Sequence, residues 1–308
     1  MKKYIKICRP DHWIKQLFIL PGCLLALLLT SAHLEMNVLL SIGACLIATS
    51  FIASANYVIN EWLDAEFDKF HPTKKNRPVV VGNLSSKIII IEYIILSLIG
   101  LILAWFASYL VFLSMALLWV MGILYNLPPI RSKDIPYLDV ISESLNNAIR
   151  LIIGWFAVNS IYLPPSTIIL GYWMAGAFLM DIKRFSEFRA IGDEKIASRY
   201  RKSFAYYTEK KLLILAMFYA MFSVFLCGVF LIKYHIEYIF AMPFFSGLFC
   251  LYFYISYKED SSTQNPEKLF KEKGLVSYIV FFIILLMVLT FIHIPQLQNL
   301  TNPYLIPI

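Results

Sequence analysis

Residues 36–82 read MNVLLSIGACLIATSFIASANYVINEWLDAEFDKFHPTKKNRPVVVG. The part up to residue 59 is mostly apolar and has the length of a membrane-crossing helix, which takes about 17 to 25 residues. The part from residue 60 onward carries acidic residues first and basic residues after them. A charged segment that begins where an apolar one ends predicts a polar site at the surface of a membrane.

The composition extends this prediction to the whole chain. Of its 308 residues, 59% are hydrophobic and only 15% are charged, against about 25% charged in a soluble domain. The mean hydropathy is +0.69. Nine apolar runs approach the length of a span, although the pair that meets at Ser108 could be one interrupted helix; they are residues 16–32, 37–59, 86–107, 109–127, 138–160, 165–182, 211–232, 236–256 and 274–294. We therefore predict an all-α polytopic membrane protein in which residues 1–308 form a single transmembrane domain.

The distribution of Lys and Arg predicts the orientation, because cytoplasmic loops retain positive charge. With the N-terminus in the cytoplasm, 25 of the 27 Lys and Arg residues fall on the cytoplasmic side. The exceptions are Lys233 on the far side and Arg150 inside a predicted span. This bias, together with an anionic substrate, accounts for the net charge of +7 without a nucleic-acid partner. We expect an integral protein of a bacterial inner or plasma membrane, with its active site at the cytoplasmic face.

Polar residues recur at intervals of four where the second predicted span ends: Asn56, Asn60, Asp64 and Asp68. If the helix continues past residue 59, they lie on one face with a slow drift. Two carboxylates beside a carboxamide suit Mg²⁺, which prefers oxygen ligands and bridges to substrate phosphates. The next stretch is basic, as a diphosphate site requires, and contains His71, Lys74, Lys75 and Arg77. The alternative is a solvated helix end that carries a few acids.

A polar stripe also marks one face of the fifth predicted span and consists of Asp139, Glu143, Asn146, Asn147 and Arg150. Ionisable groups inside a bilayer are costly unless they are paired or face a polar cavity, and by default they indicate a functional site. The alternative is a purely structural ion pair between Arg150 and Glu143.

Charged residues cluster again at the end of the sixth predicted span, where the chain carries Lys183, Arg184 and Glu187. Their spacing permits helix-end salt bridges worth only a few tenths of a kcal/mol. At the same membrane face as the acidic cluster, however, the two cations could hold a second phosphate.

The N-terminal arm is ambiguous from the residues alone. Its Arg9, Trp13 and Lys15 could bind a phosphate, or they could anchor the first helix at the membrane interface, where Trp and Lys are common. The same ambiguity holds for three residues at or beyond the end of the fourth predicted span, Tyr125, Arg131 and Lys133.

The pattern Asn60-x3-Asp64-x3-Asp68 resembles the first aspartate-rich motif of the UbiA-type superfamily of intramembrane prenyltransferases. The resemblance implies about nine transmembrane helices around a central cavity open to the cytoplasmic side. It also implies that these three residues hold Mg²⁺ on a substrate diphosphate. The superfamily's second aspartate-rich motif is missing, because Asp181 is not followed by further aspartates at steps of four.

Other motifs are similar to the branch of this superfamily that contains decaprenyl-phosphate phosphoribosyltransferase. They are Lys183-Arg184-x2-Glu187, at the place of the missing motif, and Arg9-Pro10-x2-Trp13-x-Lys15. This resemblance implies 5-phosphoribosyl 1-diphosphate as the donor and a polyprenyl phosphate lipid as the acceptor, with pyrophosphate released.

The branch resemblance also implies roles for individual residues. The cations that would neutralise the leaving pyrophosphate are Lys74, Lys75 and Arg77. Those for the ribose 5-phosphate are Lys183 and Arg184, and those for the lipid phosphate are Arg9 and Lys15, although these two assignments are interchangeable. The remaining substrate-binding positions that the resemblance implies are Tyr125, Lys133, Asp139, Arg150 and Glu187.

Two rival functions remain open. An aromatic prenyltransferase of the same fold would join a polyprenyl diphosphate to a 4-hydroxybenzoate or quinone precursor, but the missing second aspartate motif argues against it. An ion or lipid transporter could use Asp139, Glu143 and Arg150 as an intramembrane relay. Against a transporter, the charges gather at one face instead of forming a path across the membrane.

Overall fold

The computed structural model describes residues 2–71, 73–82, 84–258, 261–264 and 266–300, and these residues contain helices and no strands. The α-helices are α1 (Lys2–Ile7), α2 (Leu20–Leu29), α3 (Met36–Asp68), α4 (Pro78–Val81), α5 (Ser86–Ala107), α6 (Tyr109–Asn126), α7 (Leu138–Val158), α8 (Ser166–Ile191), α9 (Glu194–Tyr200), α10 (Glu209–Tyr234), α11 (Met242–Ser256), α12 (Lys273–Phe291) and α13 (Pro295–Leu300). Segments of 3₁₀-helix cover Pro10–Ile19, Lys74–Asn76, Ser132–Asp134, Lys202–Ala205, Ile236–Ala241, Ser262–Gln264 and Pro266–Lys271. The prediction of an all-α protein is confirmed.

Seven helical segments within the described residues are long and apolar enough to cross a membrane. They are Lys2–Leu29, Met36–Asp68, Ser86–Ala107, Tyr109–Asn126, Glu209–Leu231, Ile236–Ser256 and Lys273–Phe291. Large apolar side chains such as Ile91, Phe106 and Phe291 are exposed along these segments. Because water would disfavour so much exposed apolar surface, these faces fit contact with lipid, and the chain is an integral membrane protein.

The other two predicted spans are also helical. They correspond to α7, of 21 residues, and α8, of 26 residues, which carry the ionisable residues noted above. Because these polar groups reduce their apolar character, the count of nine spans stays a prediction. The interruption at Ser108 separates two helices, α5 and α6, which pack against each other.

Two apolar cores meet at α7. The first joins α2, α3, α5 and α6 to α7 through side chains that include Ile149 and Ile153. The second joins α7, through Val140, to α8, α10, α11 and α12. The helix with the polar stripe therefore lies between the two groups of helices. The single domain over residues 1–308 stays a prediction.

Close contact between α7 and the N-terminal helix depends on two glycines. A Cβ atom at Gly154 would lie 2.0 Å from the carbonyl oxygen of Ile19, and one at Gly22 would lie 1.9 Å from the carbonyl oxygen of Leu151. Small residues let helix backbones approach closely inside membranes. This packing brings the N-terminal 3₁₀ segment alongside the polar stripe of α7.

The length of α3 places the aspartates. Its 33 residues span about 50 Å at 1.5 Å per residue, whereas the hydrocarbon core of a bilayer is about 30 Å thick. The helix continues past residue 59, which is the condition under which its polar residues at intervals of four share one face. Its last turns, from Asn60 to Asp68, therefore extend beyond the apolar part of the helix while keeping one helical face.

Candidate active site

The two aspartates at the end of α3 are each paired with cations from elsewhere in the chain. Asp64 Oδ1 lies 2.6 Å from Lys133 Nζ and accepts a hydrogen bond from Arg131 Nη2 at 2.8 Å. Asp68 Oδ2 accepts a hydrogen bond from Arg77 Nη1 at 2.5 Å. The cations come from the loop after α3 and from the loop between α6 and α7, so the pairs connect three parts of the chain.

An amide network orients the neighbouring residue of the motif. Asn60 donates through Nδ2 to Asn126 Oδ1 at 2.6 Å, and Lys133 Nζ donates to the same oxygen at 2.9 Å. Asn126 in turn donates to the carbonyl oxygen of Gly122 at 2.9 Å. Because that network uses Asn60 Nδ2, its Oδ1 is the atom that a metal ion would take.

Two arginines of the site have left-handed backbone conformations that side-chain-bearing residues rarely adopt. Arg131 has φ 36° and Arg9 has φ 51°. Such conformations cost of order 1–3 kcal/mol each and concentrate at functional sites. Arg131 holds Asp64, and Arg9 Nε lies 3.6 Å from Glu61 Oε1, so both conformations aim a guanidinium at an acid of α3.

The loop after α3 folds back onto the N-terminal arm. Arg77 Nε lies 3.5 Å from Glu61 Oε1, so this buried carboxylate is flanked by Arg77 and by Arg9. A cavity of about 210 Å³ opens beside them, and Lys6 and Asn76 are among the residues that line it. Cations from two separate segments thus face one space that is large enough for a phosphate group.

His71 shapes this loop. Its Nδ1 accepts hydrogen bonds from the backbone N–H groups of Thr73 at 3.2 Å and Lys74 at 3.3 Å. Burial, followed by the charge of Lys74, lowers the pKa of His71 to about 3. The imidazole is therefore neutral near pH 7, and its unprotonated nitrogen holds the turn together instead of serving as a base.

A second group of charges surrounds the guanidinium of Arg184 on α8, which is fully buried. Its Nε donates to Asp139 Oδ2 at 3.2 Å, its Nη1 lies 3.5 Å from Glu187 Oε2, and its Nη2 is bonded to Glu143. Tyr125 donates its hydroxyl to Glu143 at 2.8 Å. Three carboxylates therefore enclose this one guanidinium.

Two lysines complete the second group. Lys183 Nζ lies 3.2 Å from Glu143 Oε1, and Lys74 Nζ lies 2.7 Å from Glu187 Oε1. Lys74 also contacts the hydroxyl of Tyr200. Burial disfavours the charged form of Lys74, but Glu187 and Tyr200 together oppose that effect, and the pKa of the ammonium is raised. Lys74 thus connects the loop after α3 with α8 and stays cationic.

Arg201 lies between the two groups. Its Nη1 donates to the hydroxyl of Tyr125 at 3.4 Å and lies 3.6 Å from Asp139 Oδ2. It also lines a small cavity of about 20 Å³ together with Asp64, Asp68, Arg131 and Lys133. The two groups of charges therefore form one site at one end of the helix bundle.

Two lysines of the site, Lys133 and Lys183, have a charge that is sensitive to pH near neutrality, because burial lowers the pKa of each to about 8. For Lys133, Asp64 opposes this effect, and Arg131 adds to it. Each group is therefore only partly protonated slightly above neutral pH.

The charges at this end do not balance. Among the described side chains, the ion pairs that form this site join seven carboxylates to nine cations. The acids are Glu61, Asp64, Asp68, Asp134, Asp139, Glu143 and Glu187, and the cations are Arg9, Lys74, Arg77, Arg131, Lys133, Lys183, Arg184, Arg201 and Lys202. The excess of positive charge favours a polyanionic ligand.

The structure places three of the residues predicted for the site outside this network. Arg150 Nε donates to Gln16 Oε1 at 2.9 Å, whereas Glu143 pairs with cations of α8, so the alternative of an Arg150–Glu143 pair is wrong. Lys15 Nζ lies 2.9 Å from His12 Nδ1 in the N-terminal 3₁₀ segment. Lys75 is exposed on the loop surface.

Several residues of the site could not be predicted from the sequence. Arg201 and Tyr200 belong to a charged stretch that has the composition of a solvent-exposed loop. Asn126 comes at the end of an apolar helix, where a single polar residue is no sign of a site. Arg131 had been left ambiguous, and Glu61 had no assigned role. The available signal was the repeated basic character of the loops, which does not say which cation meets which acid.

An all-helical membrane fold that gathers aspartates and phosphate-type cations at one end is characteristic of an intramembrane transferase for phosphorylated substrates. The chain matches the UbiA prenyltransferase family over residues 19–286 and belongs to that family. The assignment agrees with the fold and with the spacing of Asp64 and Asp68.

Similarity to individual proteins is more distant. The chain is 27% identical over 211 residues to the decaprenyl-phosphate phosphoribosyltransferase of Mycobacterium tuberculosis, covering 66% of this chain and 65% of that protein, slightly less than two thirds of its length. It is 30% identical over 179 residues to the protoheme IX farnesyltransferase of Oceanobacillus iheyensis, covering 56% and 55% of the two chains. The fold is similar to that of a UbiA homolog from Archaeoglobus fulgidus bound to GPP and Mg²⁺, with a TM-score of 0.69, 21% identity and coverage of 96% and 99%.

Proposed function

We propose that the protein transfers 5-phosphoribose from 5-phosphoribosyl 1-diphosphate to a polyprenyl phosphate of the decaprenyl type and releases pyrophosphate. The similarity to the mycobacterial phosphoribosyltransferase supports this choice within the family. The active site is proposed to face the cytoplasm, with the N-terminus on the same side, because this topology keeps most Lys and Arg residues inside.

One observation carries the choice of donor. Where a second set of metal-binding aspartates would be expected, the carboxylates Glu143 and Glu187 are already paired with Lys74, Lys183 and Arg184. Asp181 is fully buried against α10; it lies close enough to Asp139 and Arg184 to feel their charges, but its carboxylate forms no side-chain hydrogen bond with a described residue. The second half of the site therefore offers cations to a phosphate, as a phosphoribosyl donor with two separate phosphorylated ends requires.

The residues at the end of α3 fit Mg²⁺. Asp64 and Asp68 are hard oxygen ligands on successive turns of one helix, and Asn60 offers a carboxamide oxygen on the same face. When bound, the ion supplies positive charge at the diphosphate and so stabilises the departing pyrophosphate. Asp64 and Asp68 would exchange their present cations for the ion, which frees those cations for the substrate.

The freed cations have a defined task in the proposed reaction. Arg77, Arg131 and Lys133 lie next to the aspartates and would stabilise the charge that develops as the bond between C1 and the diphosphate oxygen breaks. An oxygen of the lipid phosphate forms the new bond to C1 from the opposite face, and pyrophosphate leaves with the electron pair. The acceptor is already anionic near pH 7, so no base is needed, in keeping with the neutral His71.

The remaining cations divide between the two substrates. Lys183 is proposed to hold the ribose 5-phosphate near Arg201, and Arg9 is proposed to hold the lipid phosphate beside the cavity of about 210 Å³. Asp139 and Arg184, both fully buried, would position these groups without contacting the substrate. Their network fixes Glu143 and Glu187, which in turn orient the lysines.

The decisive test is transfer of label with purified protein in detergent. Radiolabelled 5-phosphoribosyl 1-diphosphate is incubated with Mg²⁺ and a polyprenyl phosphate, and the lipid phase is counted. The proposal expects label in the lipid phase that depends on both the acceptor and the metal. Absence of transfer, combined with activity toward farnesyl diphosphate and an aromatic or haem acceptor, would instead assign the protein to prenyl transfer, the activity named for its Oceanobacillus relative.

A further inference from the structure

A separate cluster of potential metal ligands lies at the other end of the helix bundle. His235 follows α10, Glu237 lies in the 3₁₀ segment Ile236–Ala241, and His293 follows α12. The first residue of α10, Glu209, pairs with Arg189 near the candidate active site. The 26 residues of α10 span about 39 Å, so the cluster is far from the aspartates of α3.

The geometry of the cluster suits one metal ion. Glu237 Oε2 lies 3.2 Å from His235 Nδ1, and Glu237 Oε1 lies 3.8 Å from His293 Nδ1. One ligand atom from each of the three residues can be chosen so that all lie within 4.8 Å of one another. Ligands about 2.1 Å from a tetrahedral ion lie roughly 3.4 Å apart, so only a small contraction is needed.

The hydrogen bond of His235 prepares it as a ligand. Its Nε2 lies 2.9 Å from the carbonyl oxygen of Leu289, which can only accept, so Nε2 carries a proton. In the neutral imidazole the lone pair is then on Nδ1, which faces Glu237. Metal-binding histidines characteristically donate their other ring N–H to a carbonyl or carboxylate in this way.

Glu237 provides an independent indication. It is only 1% exposed, and its Oε1 accepts a hydrogen bond from the backbone N–H of Ile294 at 2.9 Å. Its Oε2 accepts no hydrogen bond from any described residue, and a buried carboxylate oxygen that accepts no hydrogen bond is costly. The two facing atoms, Glu237 Oε2 and the lone pair of His235 Nδ1, would repel each other unless a cation or a proton lies between them.

We propose that His235, Glu237 and His293 form a binding site for a transition-metal ion of the Zn²⁺ class. Two imidazoles and one carboxylate favour Zn²⁺ and its neighbours over Mg²⁺ or Ca²⁺, which prefer all-oxygen sites. Three protein ligands leave a further position for water. The His293 side chain is 69% exposed, so the ion can enter from solvent. Because its ligands come from both segments, the bound ion would crosslink the turn between α10 and α11 to the end of α12.

The test uses the full chain in detergent, with an affinity tag that contains no histidine and after removal of metal by a chelator. Co²⁺ absorption gives the stoichiometry and coordination, and competition with Zn²⁺ gives the affinity. We expect one ion per chain and a higher unfolding temperature in the presence of Zn²⁺. His293→Ala should weaken binding more than about 100-fold, beyond the typical loss for an outer-shell partner, and Glu237→Gln should remove the thermal stabilisation.

His33→Ala is the matched control. His33 is exposed and precedes α3, whose other end carries the aspartates, so it lies at the same end of the bundle as the cluster. This variant should bind Zn²⁺ like the wild type. Equal Co²⁺ spectra for the wild type and His293→Ala would overturn the proposal. So would stability that depends on pH but not on Zn²⁺, which would assign the cluster to a proton-bound ion pair.

Discussion

Replacing Lys133 by arginine tests whether a buried ammonium of the site must be charged for turnover. Lys133 Nζ lies 2.6 Å from Asp64, and Arg131 and Arg201 are like charges close to it. Burial is the largest influence; it lowers the pKa of Lys133 from 10.5 to about 8 although Asp64 opposes it. Arginine at the same position stays charged across the accessible pH range.

The magnitude follows from this difference in pKa. The distance from 10.5 to about 8 corresponds to about 3 kcal/mol in favour of the neutral form. Below pH 8 the group is protonated in both the folded and the unfolded protein. Between about pH 8 and 10.5 the folded protein binds fewer protons, so the free energy of unfolding rises with pH there. Activity has the opposite dependence, because neutral Lys133 cannot stabilise a departing pyrophosphate.

The assay is phosphoribosyl transfer at donor concentrations below KM, from about pH 6.5 to about pH 9.5. Above about pH 8, kcat/KM of the wild type should fall, because Lys133 and Lys183 both lose their protons there, and Lys133→Arg should make the decline less steep by about a factor of ten per pH unit. Lys202→Arg is the control, because Lys202 lies on the same face and is mostly exposed, with its Nζ 3.1 Å from Asp134. A wild-type profile that stays level to the highest pH, or an identical decline in Lys133→Arg, would refute the reasoning.

Three further predictions concern the metal, the phosphates and the packing. Asp68→Asn should reduce kcat by more than about 100-fold while size-exclusion and circular dichroism profiles stay unchanged; a near-normal rate would remove the metal-site claim. Lys183→Ala should raise KM for the donor more than KM for the lipid, and the reverse result would exchange the two phosphate assignments. Gly154→Ala should lower the free energy of unfolding by about 1–3 kcal/mol, because its Cβ would meet the carbonyl oxygen of Ile19 at 2.0 Å. Gly228→Ala, whose new Cβ would have no described atom within 4 Å apart from the adjacent backbone of its own helix, should not destabilise the protein in the same thermal melts.

The aspartates of α3 could be predicted because their arrangement depends only on residues that are close together in the sequence. The interval of four residues places Asn60, Asp64 and Asp68 on one helical face wherever the helix continues, and the apolar run before them supplies that helix. The membrane setting follows equally directly from the composition and the apolar runs. Both features depend on neighbours along the chain, which sequence patterns report well.

The partners of these acids could not be predicted in the same way. Asp64 pairs with Arg131 and shares a cavity with Arg201, and no periodic pattern relates residues that lie so far apart in the chain. Glu143 is an instructive case, because its position along α7 suggested Arg150 as its partner. The structure gives it Arg184 of α8 instead, since packing of α7 against α8 brings that guanidinium closer than the same-helix arginine.

The pairing of acids with cations also explains how one site can serve ligands of both signs. Asp64 and Asp68 are neutralised by Lys133, Arg131 and Arg77, and breaking a buried pair by removing one partner costs about 3–5 kcal/mol. A metal ion that bound alone would leave those cations without partners of opposite charge. A diphosphate that bound alone would leave the aspartates without theirs. A metal and a diphosphate that arrive together give each group a new partner of opposite charge. In the proposed reaction the site therefore selects the metal–diphosphate complex over either component, without a second set of aspartates.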